Sequence, residues 1–424
     1  MAGVTAAVGL SIAVEASSPV KLDGGWKARI LKTKDTRAKP VRGASYQPVT
    51  FADLPGWAQD DHLAAFKTFL NSCQRVIANA REKAAADKGP IPPTALVAAC
   101  GEASRLANEI KGKDSARAFF ELHFTPSAVE NNIKPGLLTG YYEPVVKASR
   151  TPQGPYQTPI YKRPGDLVTI IPETHRGAVN AGTLTHVRKT DKGNEPYFTR
   201  AQIDQGALKG KGLELLYFAD SVDIFFMQIQ GSGRIQLTDG TSIRVHYDGK
   251  NGHPYKSIGS YLIDKALLAA DKVSLGSLAT WLKADPERAN KVMWHNTSYV
   301  FFRELKGDEA GAPLGALNVP LTPGRSLALD PSYHALGTPV YVSAPTMKHV
   351  PKAAPFNRLM IGQDVGSAIK GPERGDIYFG SGDAAGQIAG VTKHSGRFFV
   401  LVPKDAAAKT GAAPDSAAAQ KTKQ

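Results

Sequence analysis

The 424-residue sequence predicts a mainly β protein with accessory helices. Glycine and proline are abundant, at 41 and 29 residues, which suits short strands joined by tight turns rather than a helical bundle. From about residue 136 onward, runs rich in aliphatic and aromatic residues are repeatedly cut by Gly and Pro, the pattern of strands and hairpins. Helical periodicity is confined to separate stretches, which marks the helices as accessories.

Taken in order, residues 2–14 form a short apolar run, and Val14-Glu15-Ala16 follows it with small residues; residues 1–16 read as a signal segment that lacks a basic start. The run is too short to span a bilayer, and no lipid-anchor cysteine lies near it. Residues 17–49 are basic, without apolar periodicity, and read as a leader or extended arm. After Pro55, Leu63, Phe66, Phe69, Leu70, Cys73, Val76 and Ile77 recur at helix spacing. A second helix is expected over about 93–110, and a third over 115–123 with Ser115 as its N-cap. Cys73 shares a face with the apolar residues of the first helix, and Cys100 lies one turn from Leu96 in the second. Two readings are open: buried free thiols, or, in an oxidising compartment, a disulfide between the helices. Two cysteines without clustered histidines do not make a metal site, and none is expected.

GLLTGYYEPVV, from residue 136, reads as a strand ending at Pro144. SVDIFFMQIQGSGRIQLTDGTSIRVHY, from residue 221, reads as a strand, a Gly-Ser-Gly turn, and a hairpin closed at Asp239-Gly240. Residues 257–293 return to helix, with Asp285-Pro286 as cap and first-turn residue of the last one. TSYVFFREL, ALNVPLT, TPVYVSA, RLMIGQDVG, DIYFGSG and RFFVLVP then read as strands. Residues 405–424 are too poor in large apolar side chains to build a core and are expected to be disordered.

The formal net charge is +14, which favours an acidic polymer: nucleic acid, an anionic membrane surface, or a carboxylate-bearing glycan. The basic residues are scattered and no recognition-helix or RNA-binding signature accompanies them, so nucleic acid is not the expected partner.

The densest chemical signal is QDVGSAIKGPERGDIYFGSGDAAG, residues 363–386. Asp364 and Asp376 flank a Gly-Pro turn, and Asp330 precedes another strand upstream, so one fold could gather three carboxylates from three strands. Clustered carboxylates serve as general acid, general base or metal ligands. A carboxyl that must stay protonated near neutral pH needs burial or a like-charged neighbour, and Asp364 is the expected neighbour of Asp376. The plainer alternative is that these aspartates only cap loops as Asx turns. Gln228 and Gln230 would share a strand face with Ile224 and Phe226, either as the polar end of a barrel interior or as an exposed edge. Tyr141 and Tyr142 could stack on sugar rings or pack in the core. Trp294, His295, Asn296 and Tyr299 are weaker candidates for a groove wall.

ALDP, then QDVGSAIKG, then GDIYFG resemble the three-aspartate module of the lytic murein transglycosylase A family. GLLTGYYEP, TPIYKRP, PYFTRAQID, FFMQIQGSGRIQL, YDGKNGHPYKSIG, NTSYVFFRE and GALNVPLTPGRSLALDP resemble that family's segments in the same order, over roughly residues 50–402. The resemblance implies a discontinuous double-psi β-barrel from 50–145 and 292–404, with a second β-barrel domain inserted over 146–291. It implies Asp376 as the single catalytic acid/base, Asp364 as its close partner, and Asp330 as a third aspartate with a structural or assisting role. Substrate contacts are expected from Tyr141, Tyr142, Gln228, Gln230, Gly231, Ser232, Gly233, Tyr299 and Lys370. The implied activity is cleavage of peptidoglycan glycan strands with formation of 1,6-anhydro ends and no cofactor. The implied setting is a periplasmic monomer, associated with the outer membrane and able to meet other cell-wall proteins. A hydrolase, or a non-catalytic wall-binding protein on the same barrel, is the alternative.

Overall fold

The computed structural model describes residues 14–22, 26–33, 44–86, 93–131, 136–171, 183–351 and 355–404. The expected signal segment falls almost wholly outside these residues, and the 405–424 tail does so entirely. Within the expected leader, β1 (Val14–Leu22) and β2 (Trp26–Thr33) pair antiparallel as a separate two-stranded sheet.

Next come β3 (Ala44–Pro48), three helices, and two strands, β4 (Phe124–Asn131) and β5 (Leu137–Glu143). The helices are α1 (His62–Ala86), α2 (Thr94–Arg105) and α3 (Lys113–His123). Phe66, Phe69, Cys73 and Val76 repeat at three- and four-residue steps along α1 and are fully buried, meeting Phe119 and Phe120 of α3 and Leu96, Ala99 and Cys100 of α2. Cys73 and Cys100 are joined as a disulfide across α1 and α2. Closing a loop of that length stabilises the folded chain by about 3–4 kcal/mol in the chain-entropy picture. The second helix is shorter than expected, and Ser115 sits inside α3 rather than at its cap: Gly112 is the N-cap, and its N–H donates to the Ser115 hydroxyl.

The middle of the chain builds a second sheet. Its elements are β6 (Val145–Ser149), β7 (Thr158–Tyr161), β8 (Leu167–Thr169), β9 (His186–Thr190), β10 (Gly193–Pro196), α4 (Arg200–Gln202), β11 (Glu214–Phe218), α5 (Ser221–Gln230), β12 (Ser232–Leu237), β13 (Ser242–Lys250), α6 (Ile258–Asp264), α7 (Leu275–Lys283), α8 (Pro286–Met293) and β14 (Val300–Leu305). Six strands run in the order β14-β13-β12-β6-β11-β7, and β10-β9-β8 form a small sheet beside them. Because β14 pairs with β13, residues 300–305 hydrogen-bond in the inserted sheet and not in the barrel to which 292–404 were assigned.

The expected strand at 221–230 is the helix α5, a correction with a physical cause. Ile224 and Met227 pack on the six-stranded sheet, while Val222, Phe225 and Phe226 pack against α6, α7 and α8. A helix buried on opposite sides is apolar nearly all round and loses the periodic signature that separates it from a buried strand. Its ends carry the local signals: the Asp220 carboxylate accepts from the Val222 N–H, and Gly231 closes the helix at φ +80°. The hairpin beyond it, β12–β13, forms as expected.

The final stretch contributes β15 (Ser326–Ala328), β16 (Pro339–Ala344), β17 (Phe356–Asp364), β18 (Arg374–Ser381), α9 (Asp383–Val391), β19 (Lys393–Ser395) and β20 (Arg397–Pro403). ALNVPLT is not a strand; Pro320 makes only an isolated bridge to Leu314. The nine strands run β19-β5-β18-β15-β17-β16-β20-β4-β3, so residues 44–143 and 326–403 share one sheet around the insertion. The pairs β15–β17 and β18–β5 are parallel and the other pairs antiparallel. Side chains alternate between two cores: Tyr341, Leu359 and Ile361 face the helices, whereas Val340, Val342 and Met360 face the opposite side with Leu138, Leu327 and Phe398. The fold is therefore mainly β with accessory helices.

Candidate active site

The parallel and antiparallel pairings bring the aspartates into one row. Ala328 of β15 is in register with Asp364 of β17 on one side and Asp376 of β18 on the other, and Asp376 is in register with Thr139 of β5. Residues opposite one another in a sheet project from the same face, so Thr139, Asp376 and Asp364 rise from one surface of four neighbouring strands. The Thr139 hydroxyl donates to Asp376 Oδ1 at 2.6 Å, and Arg374 Nη2 donates to Thr139 Oγ1 at 2.9 Å. Two residues along β5, the Tyr141 hydroxyl donates to Asp364 Oδ2 at 2.9 Å, and its ring packs on Tyr378 with centroids 5.3 Å apart.

The two carboxyl groups are held differently. Burial at the groove floor raises the pKa of Asp376 above the ordinary aspartate value, opposed by the Thr139 hydroxyl and the Arg374 charge. Burial is thus the cause of the shift, not the like-charged Asp364 that the spacing suggested. Asp364 is a junction: besides Tyr141, its Oδ1 accepts from the backbone N–H groups of Ala316 and Val365, each at 2.9 Å. Burial, followed by the Asp364 carboxylate, pushes the Tyr141 hydroxyl far above its usual range, so it remains a donor.

Asp330 is buried away from this row. Its carboxylate accepts from the Ser332 and Gly371 N–H groups, and His334 Nε2 lies 2.7 Å from the Pro372 carbonyl. Together these contacts fasten the Gly371-Pro372 turn that leads into β18. No group of three or more His, Cys, Asp or Glu able to hold a metal exists among the described residues.

Above the aspartate row lies a groove of about 400 Å³, within the size range of ligand sites. One wall includes Tyr141, Asp364, Lys370, Arg374 and Asp376; the other is built by the inserted segment, with Arg200 of α4, Gln228, Gln230 and Gly231 at the end of α5, and Ser232 of β12. Gln228 and Gln230 therefore do reach the groove, but from the carboxyl end of α5 rather than from a strand face. Gln228 accepts from Arg200 Nη2 and donates to the Val300 carbonyl, and Arg200 also donates to the Ser298 carbonyl. The Gln230 side chain accepts from the Tyr142 N–H, which ties the two walls together.

Three expected contacts lie elsewhere. The Tyr142 ring packs against α9, where a Cβ added to Gly386 would meet it at 2.8 Å. Tyr299 is a core residue beneath the groove, packed on Phe301 and under the Arg200 guanidinium. Gly233 lies against Met227, whose Sδ would be 2.4 Å from an added Cβ. Of the weaker candidates, Asn296 lines the groove, while Trp294 donates to Asp204 and His295 stacks on Tyr261. Arg200, His246, Lys250 and Tyr255 also line it and were not singled out from the sequence. They converge through pairings across the inserted sheet that leave no local signature; only the Thr199–Gln202 capping box pointed to a fixed backbone beside Arg200.

A model described as the MltA specific insert domain matches residues 137–303, and one described as the 3D domain matches residues 325–402. The chain is 34% identical over 270 residues to membrane-bound lytic murein transglycosylase A of Vibrio cholerae, a match that covers 62% of this chain and 65% of that relative. The match thus spans slightly less than two thirds of the relative's length. Among solved structures, a membrane-bound lytic murein transglycosylase from Agrobacterium tumefaciens superposes with a TM-score of 0.73 at 35% identity, covering 85% of this chain and 98% of the other. The chain belongs to the MltA family. Another structure of an MltA protein, from Escherichia coli with bound chitohexaose, matches with a TM-score of 0.62 at 29% identity over 86% of this chain and 97% of that one. In this MltA chain the groove lies where the insert-domain and 3D-domain segments meet. Members of the family carry the name membrane-bound; among the described residues no helix is long and apolar enough to cross a membrane.

Proposed function

We propose that the chain is a lytic transglycosylase that cleaves the MurNAc–GlcNAc β-1,4 bond of peptidoglycan, with Asp376 as its single acid/base. The observation that carries this reading is the unequal treatment of the two carboxyl groups: burial favours the protonated form of Asp376, while Asp364 is occupied by three donors. Protonated Asp376 gives its proton to the glycosidic oxygen as the C1–O bond breaks and its electron pair leaves with that oxygen. The MurNAc C6 hydroxyl then closes on the oxocarbenium-like C1 and returns its proton to Asp376, so the enzyme ends as it began. The nucleophile belongs to the substrate, and a second carboxylate is not required.

The sheet argues in the same direction. Asp376 and Asp364 stand two strands apart, with β15 between them, and each carboxyl group has its own set of hydrogen-bond partners. An inverting hydrolase would need Asp364 to activate water, whereas three donors already hold that carboxyl group in place. Arg200, Lys250, Lys370 and Arg374 along the groove suit a glycan bearing lactyl and peptide carboxylates. Chitohexaose in the related Escherichia coli structure is a β-linked amino-sugar chain of the same kind. The reading places the protein at the wall, in the periplasm and beside the outer membrane, acting as a monomer.

Mass spectrometry of sacculi digested with wild type and with Asp376→Ala tests this. Products one water lighter than hydrolytic muropeptides, absent with the variant, are expected. Hydrated reducing ends would replace the reading with a hydrolase, and no release by wild type would replace it with a wall-binding protein.

A further inference from the structure

The hydrogen bonds around Asp376 run in one direction. A guanidinium has donors only, so in the contact between Arg374 Nη2 and Thr139 Oγ1 the threonine oxygen must accept. The Thr139 hydroxyl has a single proton, and its short contact to Asp376 Oδ1 is where that proton goes. Arg374 is itself held in place: Nη1 donates to the Gly375 carbonyl at 2.5 Å and reaches the Leu137 carbonyl at 3.4 Å. Both strands are clamped by the ladder that sets Thr139 opposite Asp376. Chemistry forces the first step, Arg374 → Thr139, and the structure directs the threonine proton on to Asp376 Oδ1.

We propose that Arg374 and Thr139 are positioning residues that commit Oδ1 of Asp376 to accepting a hydrogen bond and so place the transferable proton on Oδ2. This rests on the reading of Asp376 as the acid/base. It adds that one oxygen gives the proton to the leaving group and takes it back from the C6 hydroxyl, while the other stays anchored throughout. The contact from Thr139 strengthens when the carboxylate ionises in mid-reaction, because hydrogen bonds to charged acceptors are the stronger ones. The same two groups pull the Asp376 pKa down against burial, so the pair also keeps the acid able to lose its proton. The other titratable or charged groups on this part of the groove wall are Tyr141, Asp364, Lys370 and Tyr378, and the variants below leave them unchanged.

The test uses Thr139→Val, which removes the donor at nearly constant shape in a strand position, with Thr139→Ser, Arg374→Met and Arg374→Lys. Two measurements are made on each: sacculus digestion against pH, and the ¹³C titration of the Asp376 carboxyl. Thr139→Val is expected to lower kcat roughly tenfold to a hundredfold, the scale of a misplaced catalytic group, with KM within about twofold of wild type. Its alkaline limb and the Asp376 titration should both move to higher pH, and Thr139→Ser should restore both. Arg374→Met should shift them in the same direction by less, with Arg374→Lys between it and wild type. Equal titration of Asp376 in the valine and serine variants would overturn the proposal, as would a loss of activity that follows melting temperature alone. The titration needs no turnover, so if wild type released nothing from sacculi the catalytic reading would fail while the donor chain was still decided.

Discussion

The two walls of the groove are built by different means. On the nine-stranded sheet, Thr139, Asp376, Ala328 and Asp364 stand in register on β5, β18, β15 and β17, placed by backbone hydrogen bonds that no side chain controls. On the inserted side, Arg200 of α4 and Gln228 of α5 are placed by side-chain bonds to one another and to backbone carbonyls, and Asn296 by bonds from backbone N–H groups. A ladder holds a reacting atom within the narrow tolerance that proton transfer needs. A web of side chains holds a shape, and it loosens locally when one member changes. The proposed chemistry therefore belongs to the first wall and substrate grip to the second.

The sharpest way to break this division is to exchange its carboxyl groups one at a time. Asp376→Asn should lower release of anhydro products by about 10²–10⁴-fold, the range of a lost general acid, measured by product mass spectrometry. Asp364→Asn should keep the anhydro product and lose stability instead, by about 1–3 kcal/mol, because an amide N–H would face one of the three donors; denaturant melts measure it. If Asp364→Asn changed the product from anhydro to hydrated ends, the two carboxyl groups would share the chemistry.

Next in size is the junction between the walls. Glu143 at the end of β5 is fully buried; it accepts from Arg244 Nε of β13 at 2.8 Å and from the Ser381 hydroxyl at 2.5 Å. Glu143→Gln leaves the Arg244 charge without its partner and should cost about 3–5 kcal/mol, as broken buried pairs do. Chemical denaturation gives the number. A cost below about 1 kcal/mol would mean that the walls do not depend on this pair for their alignment.

A smaller effect separates grip from chemistry. Arg200→Lys keeps the charge but loses the planar guanidinium that lies over the Phe225 and Tyr299 rings while its Nη2 serves Gln228 and the Ser298 carbonyl. KM for glycan strands should rise about tenfold, a loss of roughly 1.4 kcal/mol of binding, with kcat nearly unchanged. An equal fall in kcat would place Arg200 with the first wall.

The sequence exposes the first wall far better than the second. Asp364 and Asp376 announce themselves as carboxylates in a glycine-rich stretch, with Asp330 upstream before another strand, and the α1 face of Phe66, Phe69, Cys73 and Val76 repeats at helical spacing. The Asp285-Pro286 cap and the Asp239-Gly240 hairpin are likewise local and legible. What stays hidden is long-range. Arg374 meets Thr139 across 235 residues because β18 and β5 run parallel, and no window of sequence contains both. The helix α5 hides for another reason: with apolar partners on two sides, its composition resembles a buried strand, and only Asp220 and Gly231 mark its ends. The choice between sugar and core that the sequence leaves open for its tyrosines has the same origin, since an aromatic ring reads alike in either place; the structure buries Tyr299 and leaves Tyr142 half-buried against α9.

The last effect is the smallest and ties the function of Asp376 to its cost. Burial raises its pKa above the ordinary value near 3.8, so the folded state holds this proton more tightly than the unfolded chain does. Below that ordinary value both states are protonated, and wild type and Asp376→Asn should melt at similar temperatures. As pH rises through the interval between the two pKa values, the unfolded chain ionises first and wild type loses stability relative to the variant. Above the folded pKa the gap becomes constant. Asp376→Asn should therefore be inactive yet melt higher than wild type at neutral pH, with the difference closing on acidification; thermal melts across pH decide it. A gap that does not change with pH would assign the difference to packing of the amide. A gap that closes would show that the groove holds its acid in a form the rest of the fold would not choose, which is what a site built for proton donation requires.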